Sequence, residues 1–171
     1  MLFRSLNIGS KEAWLSAVEV TLGMLEGLTG SGRFSSISQK RIEVLRQWAE
    51  SHPVHRCIAE RPRLIHGDLK TGQVFLEKNG YRVIDWQRPV IGPPELDLVS
   101  LLLAQRIDPR AHVGREAIGI FWFLFLRWAA VAQAELFPDF TGELFGRWAA
   151  VAVRQILDED APIPPSDIPP A

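Results

Sequence analysis

Two segments, QVFLEK (73–78) and YRVIDW (81–86), flank the dipeptide Asn79-Gly80. Asn-Gly between apolar-rich strand-like runs is the strongest short-range hairpin signal a sequence carries, because both residues tolerate positive φ. It demands an antiparallel strand pair inside a chain whose other periodicity is largely helical. A two-residue turn at 79–80 predicts a register with Lys78 opposite Tyr81, Glu77 opposite Arg82, Leu76 opposite Val83 and Val74 opposite Asp85. Glu77 and Arg82 then form an opposite-charge cross-strand pair. The same register places Gln73 and Asp85 at the open end of the hairpin, beside the segment that carries Asp68.

The flanks read as helices. Trp14, Leu15, Val18, Leu22 and Leu25 recur at helical spacing over 11–28, with Ser10 and Ala13 as a candidate N-terminal cap. Further helices are predicted over 37–51, where Ile42, Leu45 and Trp48 or Ala49 share a face, and over 54–60. Pro62 ends that helical region, and a short strand is expected at 63–66. The loop TGSGRFSS (29–36) follows a helix and lacks a Gly-Lys-Ser/Thr ending, so it reads as a helix terminator and not as a phosphate loop. Gly92-Pro93-Pro94 breaks the chain before a helix at Glu95 to Arg106. Two more helices follow, at about 110–136 and 140–157, each containing the echo RWAAVA and each using Trp and small residues for packing. The fold class is therefore mainly α with a small β-hairpin or sheet (α+β), over residues 1–160. The tail at 161–171, APIPPSDIPPA, is too proline-rich to fold and reads as disordered.

A hydrophobic content of 47% and 171 residues suffice for one domain or one lobe with a real core. The net charge of −1 argues against nucleic acid or an anionic membrane as a bulk partner. Cys57 is the single cysteine, which excludes an internal disulfide and suits a reducing, cytoplasmic compartment. The N-terminus lacks the long apolar core of a signal peptide. The apolar stretch at 117–134 contains Arg127, and the uninterrupted run before it is ten residues. That is short of the roughly 20 a spanning helix needs, so it reads as a buried core helix.

The convergence of Asp68, Gln73 and Asp85 has chemical content. An Asp in a loop between strands can accept a proton from a hydroxyl, while a second Asp and a side-chain oxygen can bind Mg²⁺. Phosphoryl transfer needs this division of labour. Asp97, just inside the helix after GPPEL, can cap that helix or bind backbone donors under the loop.

These residues carry a resemblance. HGDLKTGQVFL with YRVIDWQRPVIGPPELDLVSLL resembles the C-terminal lobe of the aminoglycoside phosphotransferase and choline-kinase-like group, which shares the protein-kinase fold. That group's pattern is His-Gly-Asp, four residues, Asn, an apolar strand, Ile-Asp-Trp or Ile-Asp-Phe, then a turn and Asp-Leu. The match is close over 64–103. It implies a catalytic loop at 64–76 and a metal-binding segment at 81–98. By resemblance, Asp68 is the catalytic base, Asp85 the chief Mg²⁺ ligand, and Gln73 stands where the group has a second, Asn ligand. His66 and Asp97 brace the loop. Lys70 matches a lysine that reaches the transferred phosphate in many protein kinases, or else is an exposed solubilising residue. ATP and Mg²⁺ are the implied cofactors, and a small hydroxyl-bearing molecule the implied acceptor.

Two features depart from the pattern. Gln73 keeps the carboxamide oxygen of Asn but adds a methylene and a rotor, and Mg²⁺ tolerates displaced ligands poorly at its roughly 2.1 Å octahedral distances. Residues 1–63 read as helices, without the glycine-rich strands, strand lysine and helix glutamate of an N-terminal lobe; Lys11 and Lys40 lie at helix starts. The expectation is a truncated lobe that begins near the inter-lobe hinge, with LFRSL (2–6) as its remnant. Three functions stay open. One is a small-molecule kinase, poorly active alone or completed by a separate N-lobe chain. The second is a degenerate lobe serving as a binding module, prone to self-association. The third is a lipopolysaccharide-kinase or protein-kinase relative. The acceptor region, about 100–157, shows no acidic cluster: Glu116, Glu135, Asp139 and Glu143 are scattered. Phe121, Trp122, Phe123 and Trp128 read as core, and Gln87 as a loop residue.

Overall fold

The computed structural model describes residues 5–158, so the proline-rich tail lies outside the described residues. Six helices and two small sheets make up this part of the chain. In chain order they are β1 (Leu6–Asn7), α1 (Lys11–Gly30), α2 (Gln39–Ala49), α3 (His52–Ala59), β2 (Arg63–Ile65), β3 (Val74–Glu77), β4 (Gly80–Val83), β5 (Val90–Gly92), α4 (Glu95–Ala104), α5 (Arg115–Val131) and α6 (Leu144–Ile156). The mainly α, small-β class expected from the sequence is what forms.

The amphipathic stripe of α1 is the expected one, and Trp14, Val18, Leu22 and Leu25 are fully buried. Ser10 Oγ accepts from the Ala13 N–H at 3.2 Å and so caps the helix start. On α2 the buried face is Ile42, Leu45 and Ala49, with Trp48 partly exposed beside it. Trp14 sits where three helices meet. Its ring lies 4.9 Å from Phe123 on α5 and 6.2 Å from Trp48, and its indole N–H donates to the Ala49 carbonyl at 2.9 Å. Gly119 on α5 lies against Trp48, leaving no room for a side chain there.

α5 is the central helix. Together with the π-helical turn Ala132–Leu136 it is long and apolar enough to cross a membrane, but about two thirds of it is buried inside the fold. Arg127 in its midst reaches Thr21 Oγ1 on α1 at 3.3 Å. The repeated RWAAVA segments face one another across α5 and α6. Phe125 contacts Trp148 and Trp128 contacts Phe145, the order expected of antiparallel neighbours, and Trp128 and Trp148 are 5.4 Å apart. The helix expected from about residue 110 is interrupted: a 3₁₀ turn at Pro109–Ala111 precedes α5.

The first sheet has strand order β1-β5-β2, with β1 parallel and β2 antiparallel to β5. β5 contains Gly92 of the Gly-Pro-Pro break, so the chain stays extended up to the prolines. The second sheet is the hairpin β3–β4, and here the expected register is corrected. Val74 faces Val83, Phe75 faces Arg82, Leu76 faces Tyr81 and Glu77 faces Gly80. The turn falls on Lys78-Asn79, and of Asn79 and Gly80 only Gly80, which opens β4, has positive φ, at 146°. Moving the turn by one residue shifts the register by two, which leaves every side chain on its original face. Glu77 and Arg82 are therefore still neighbours, now diagonally, at 2.8 Å.

Cys57 lies partly buried on α3. Burial first, then Glu95, Glu116 and Glu60, push its thiol up to about 11, so it is protonated and unreactive at neutral pH.

Phe123, fully buried against Trp14 and Trp48, is the best single probe of this core. Phe123→Ala is expected to lower stability by about 3–5 kcal/mol. The check is urea unfolding, in which the midpoint falls while the slope stays the same.

Candidate active site

β2 ends at Ile65, and the chain turns sharply through His66-Gly67-Asp68. Gly67 takes φ +80°, and a side chain there would overlap the Arg88 carbonyl oxygen. Only glycine satisfies both conditions. The turn is held from below by Asp97 in the first turn of α4. Its Oδ2 accepts from the His66 N–H and its Oδ1 from the Gly67 N–H, each at 2.8 Å. Of the two roles open to Asp97 in the sequence, the structure selects the second: it binds backbone donors of the loop and does not cap its own helix. The His66 side chain is buried, and its Nε2–H donates to the Ile84 carbonyl at 2.9 Å, just past β4. Trp86 lies against the same imidazole, 5.1 Å between ring centroids.

These contacts bring the two segments together. Asp68 projects from the turn, about a third exposed, between two cations. Lys70 Nζ is 3.7 Å from one carboxylate oxygen and Arg88 Nη1 is 3.9 Å from the other. Lys70 is thus an ion-pair partner of Asp68 and not merely a solubilising lysine. Arg88 was not singled out in the sequence. It is held over the Trp128 ring of α5, 4.8 Å from the ring centroid, and so links the Asp68 turn to α5.

Gln73 closes a 3₁₀ turn at Thr71–Gln73 ahead of β3, where a strand had been expected. Its Oε1 accepts from the Lys70 N–H at 2.7 Å, and its Nε2 donates to Asp85 Oδ2 at 3.3 Å. Its backbone carbonyl accepts from the Ile84 N–H at 3.0 Å. Asp85 lies outside the strand that was expected to contain it, with φ +68°. That conformation is uncommon for a residue with a side chain and clusters at functional sites. Gln87 lies in a loop, as expected, and donates from Nε2 to Asp85 Oδ1 at 2.6 Å. Thr71 accepts from Gln105 at the end of α4, at 3.0 Å.

The structure thus gathers His66, Asp68, Lys70, Gln73, Asp85 and Asp97 around one edge. A profile of the phosphotransferase enzyme family matches residues 30–132, more than half of the chain. The chain belongs to the phosphotransferase enzyme family. The matched segment contains every one of those residues, and members of the family generally use ATP and Mg²⁺. No solved structure matches the chain.

The donor set admits a divalent ion at one position. Asp85 is exposed, and a carboxylate offers about four lone-pair sites, two of which receive amide N–H groups. Two sites are left for a cation that takes its remaining ligands from water and phosphate, as Mg²⁺ does. Among the described residues no group of three or more His, Cys, Asp or Glu side chains could hold a metal.

Replacing Asp97 with Ala strands two backbone donors at once. It is expected to cost on the order of 3 kcal/mol, with Asp97→Asn in between because it keeps one acceptor oxygen. Amide exchange at His66 and Gly67 is the matching local measurement and should accelerate in both variants.

Proposed function

We propose that this chain is a kinase-like catalytic lobe that transfers the γ-phosphoryl group of ATP to a hydroxyl of a small molecule. The observation that carries this reading is the Asp97 and His66 hydrogen-bond circuit, which binds the Asp68 turn to the Asp85 segment. In a family of phosphotransferases, two carboxylates held at one edge in this way suit a base and a metal ligand. Asp68 orients the acceptor hydroxyl and takes its proton as the new O–P bond forms. Lys70 and Arg88, on either side of Asp68, balance the charge of the incoming phosphates. Asp85 would hold Mg²⁺ together with the nucleotide, and the ion, when bound, neutralises charge on the transferring phosphoryl group. His66 and Asp97 position the loop. The lone protonated thiol of Cys57 suits a reducing, cytoplasmic setting.

Residues 5–63 hold three helices and two short strands, β1 and the start of β2, and no glycine-rich strand pair. The cover over the nucleotide phosphates must therefore come from outside these residues, and activity of the chain by itself should be weak. The direct test is calorimetric titration with ATP and Mg²⁺. Binding is expected, dependent on Mg²⁺ and lost in Asp85→Asn. Asp68→Asn should keep binding but lose turnover by roughly 10²–10⁴-fold. No nucleotide binding with Mg²⁺ in excess would sink the reading for this chain.

A second reading, a binding module that docks another lobe or a second copy, is favoured by the exposed apolar surface of the hairpin and β2. Leu76 is 79% exposed, its register partner Tyr81 76%, and Leu64 60%. Exposed apolar side chains of this size can mark an interaction surface. Sedimentation should show association that rises with concentration and weakens when Leu76 and Tyr81 are both replaced by Lys. A chain that stays monomeric throughout the micromolar range contradicts self-association.

A further inference from the structure

The side-chain amide of Gln73 is fixed from both ends, and this decides what it can offer a cation. At one end is the Lys70 backbone N–H, which only donates. At the other is the Asp85 carboxylate, which only accepts. The orientation with oxygen toward Lys70 and nitrogen toward Asp85 satisfies both, at 2.7 and 3.3 Å. Turning the amide over would set two donors against each other at Lys70 and leave the carboxylate facing an oxygen. Gln73 thus presents its nitrogen to Asp85, where a cation would sit, and turns its side-chain oxygen away to the backbone of the loop. The extra methylene of glutamine supplies the reach to span from Lys70 to Asp85. Gln87 holds the other oxygen of Asp85 at 2.6 Å, and among the described residues no cluster of three or more His, Cys, Asp or Glu side chains could hold a metal.

We infer that Gln73 is a hydrogen-bonding brace and not a metal ligand, and that this site takes one divalent cation, on Asp85. The inference rests on the phosphotransferase reading above and adds to it the metal count and the role of the position that departs from the group's Asn. Gln73 acts by holding Asp85 and the turn after Asp68, so it is a positioning residue.

Two measurements on the full chain test it, neither needing turnover. The first is equilibrium dialysis against Mn²⁺ and a non-hydrolysable ATP analogue, counting metal and nucleotide retained. One manganese per nucleotide is expected, both in the natural chain and in Gln73→Ala. Two per nucleotide in the natural chain, falling to one in Gln73→Ala, overturns the inference and leaves the phosphotransferase reading intact. Retention of neither overturns that reading, and the inference with it. The second is exchange of the Lys70 amide proton. It should be roughly tenfold faster in Gln73→Ala, the loss of one ordinary hydrogen bond. In the natural chain its protection should persist when Mn²⁺ and the analogue are added. Loss of protection on loading would mean that the glutamine oxygen has left Lys70 for the ion, and would overturn the inference.

Discussion

The site depends on one carboxylate reading two consecutive backbone N–H groups. Asp97 takes the amides of His66 and Gly67 with its two oxygens, both at 2.8 Å. A carboxylate is the one common side chain with two strong acceptors at that spacing, and its charge makes each bond stronger than a neutral one. Those bonds allow the turn after β2 to exist. Gly67 must sit at positive φ with the Arg88 carbonyl pressed against its α-carbon, a conformation with no intrinsic preference to sustain it. With the turn held, the His66 ring lies under Ile84, and Asp68 is aimed outward. Asp68 is thus placed by its neighbours' hydrogen bonds, with Lys70 and Arg88 flanking its carboxylate.

What could be read from the sequence follows the physics of each feature. The helices were legible because burial of one face imposes a period on the residues, as with Trp14, Val18, Leu22 and Leu25 on α1. The gathering of Asp68, Gln73 and Asp85 was legible because a hairpin brings its open ends beside the preceding segment, whatever its register. The register itself was not. Asn79-Gly80 asks for positive φ at both residues, yet only Gly80 adopts it, because the turn closes one residue earlier. The error shifted partners by two and left the faces alone, so the Glu77–Arg82 pair survived it. The strands β1 and β5 escaped notice for another reason. Two or three residues carry no period, and both are fixed by pairing with distant segments.

Arg88 was missed because its partners lie on different parts of the chain. Arg88 meets Asp68 through the turn and Trp128 through α5. A basic residue next to a proline after Ile-Asp-Trp carries no such signal in its spacing. Only the packing of the α5–α6 pair against the loop sets the Trp128 ring beneath the guanidinium.

The glutamine changes how the loop is stiffened. Its side chain adds to the backbone link with Ile84 a direct bond to Asp85. Glutamine makes that connection with hydrogen bonds: Oε1 to Lys70, Nε2 to Asp85, and its backbone carbonyl to Ile84. With Thr71 tied to Gln105 on α4 and the turn tied to Asp97, the loop is held at three places by the protein alone. Groups already fixed in position lose less entropy when a ligand arrives. They also resist movement, so a second ion beside Asp85 that required the amide oxygen would have to turn the amide against both of its hydrogen bonds. The same hydrogen bonds therefore set the geometry of Asp85 and the limit on what can bind there.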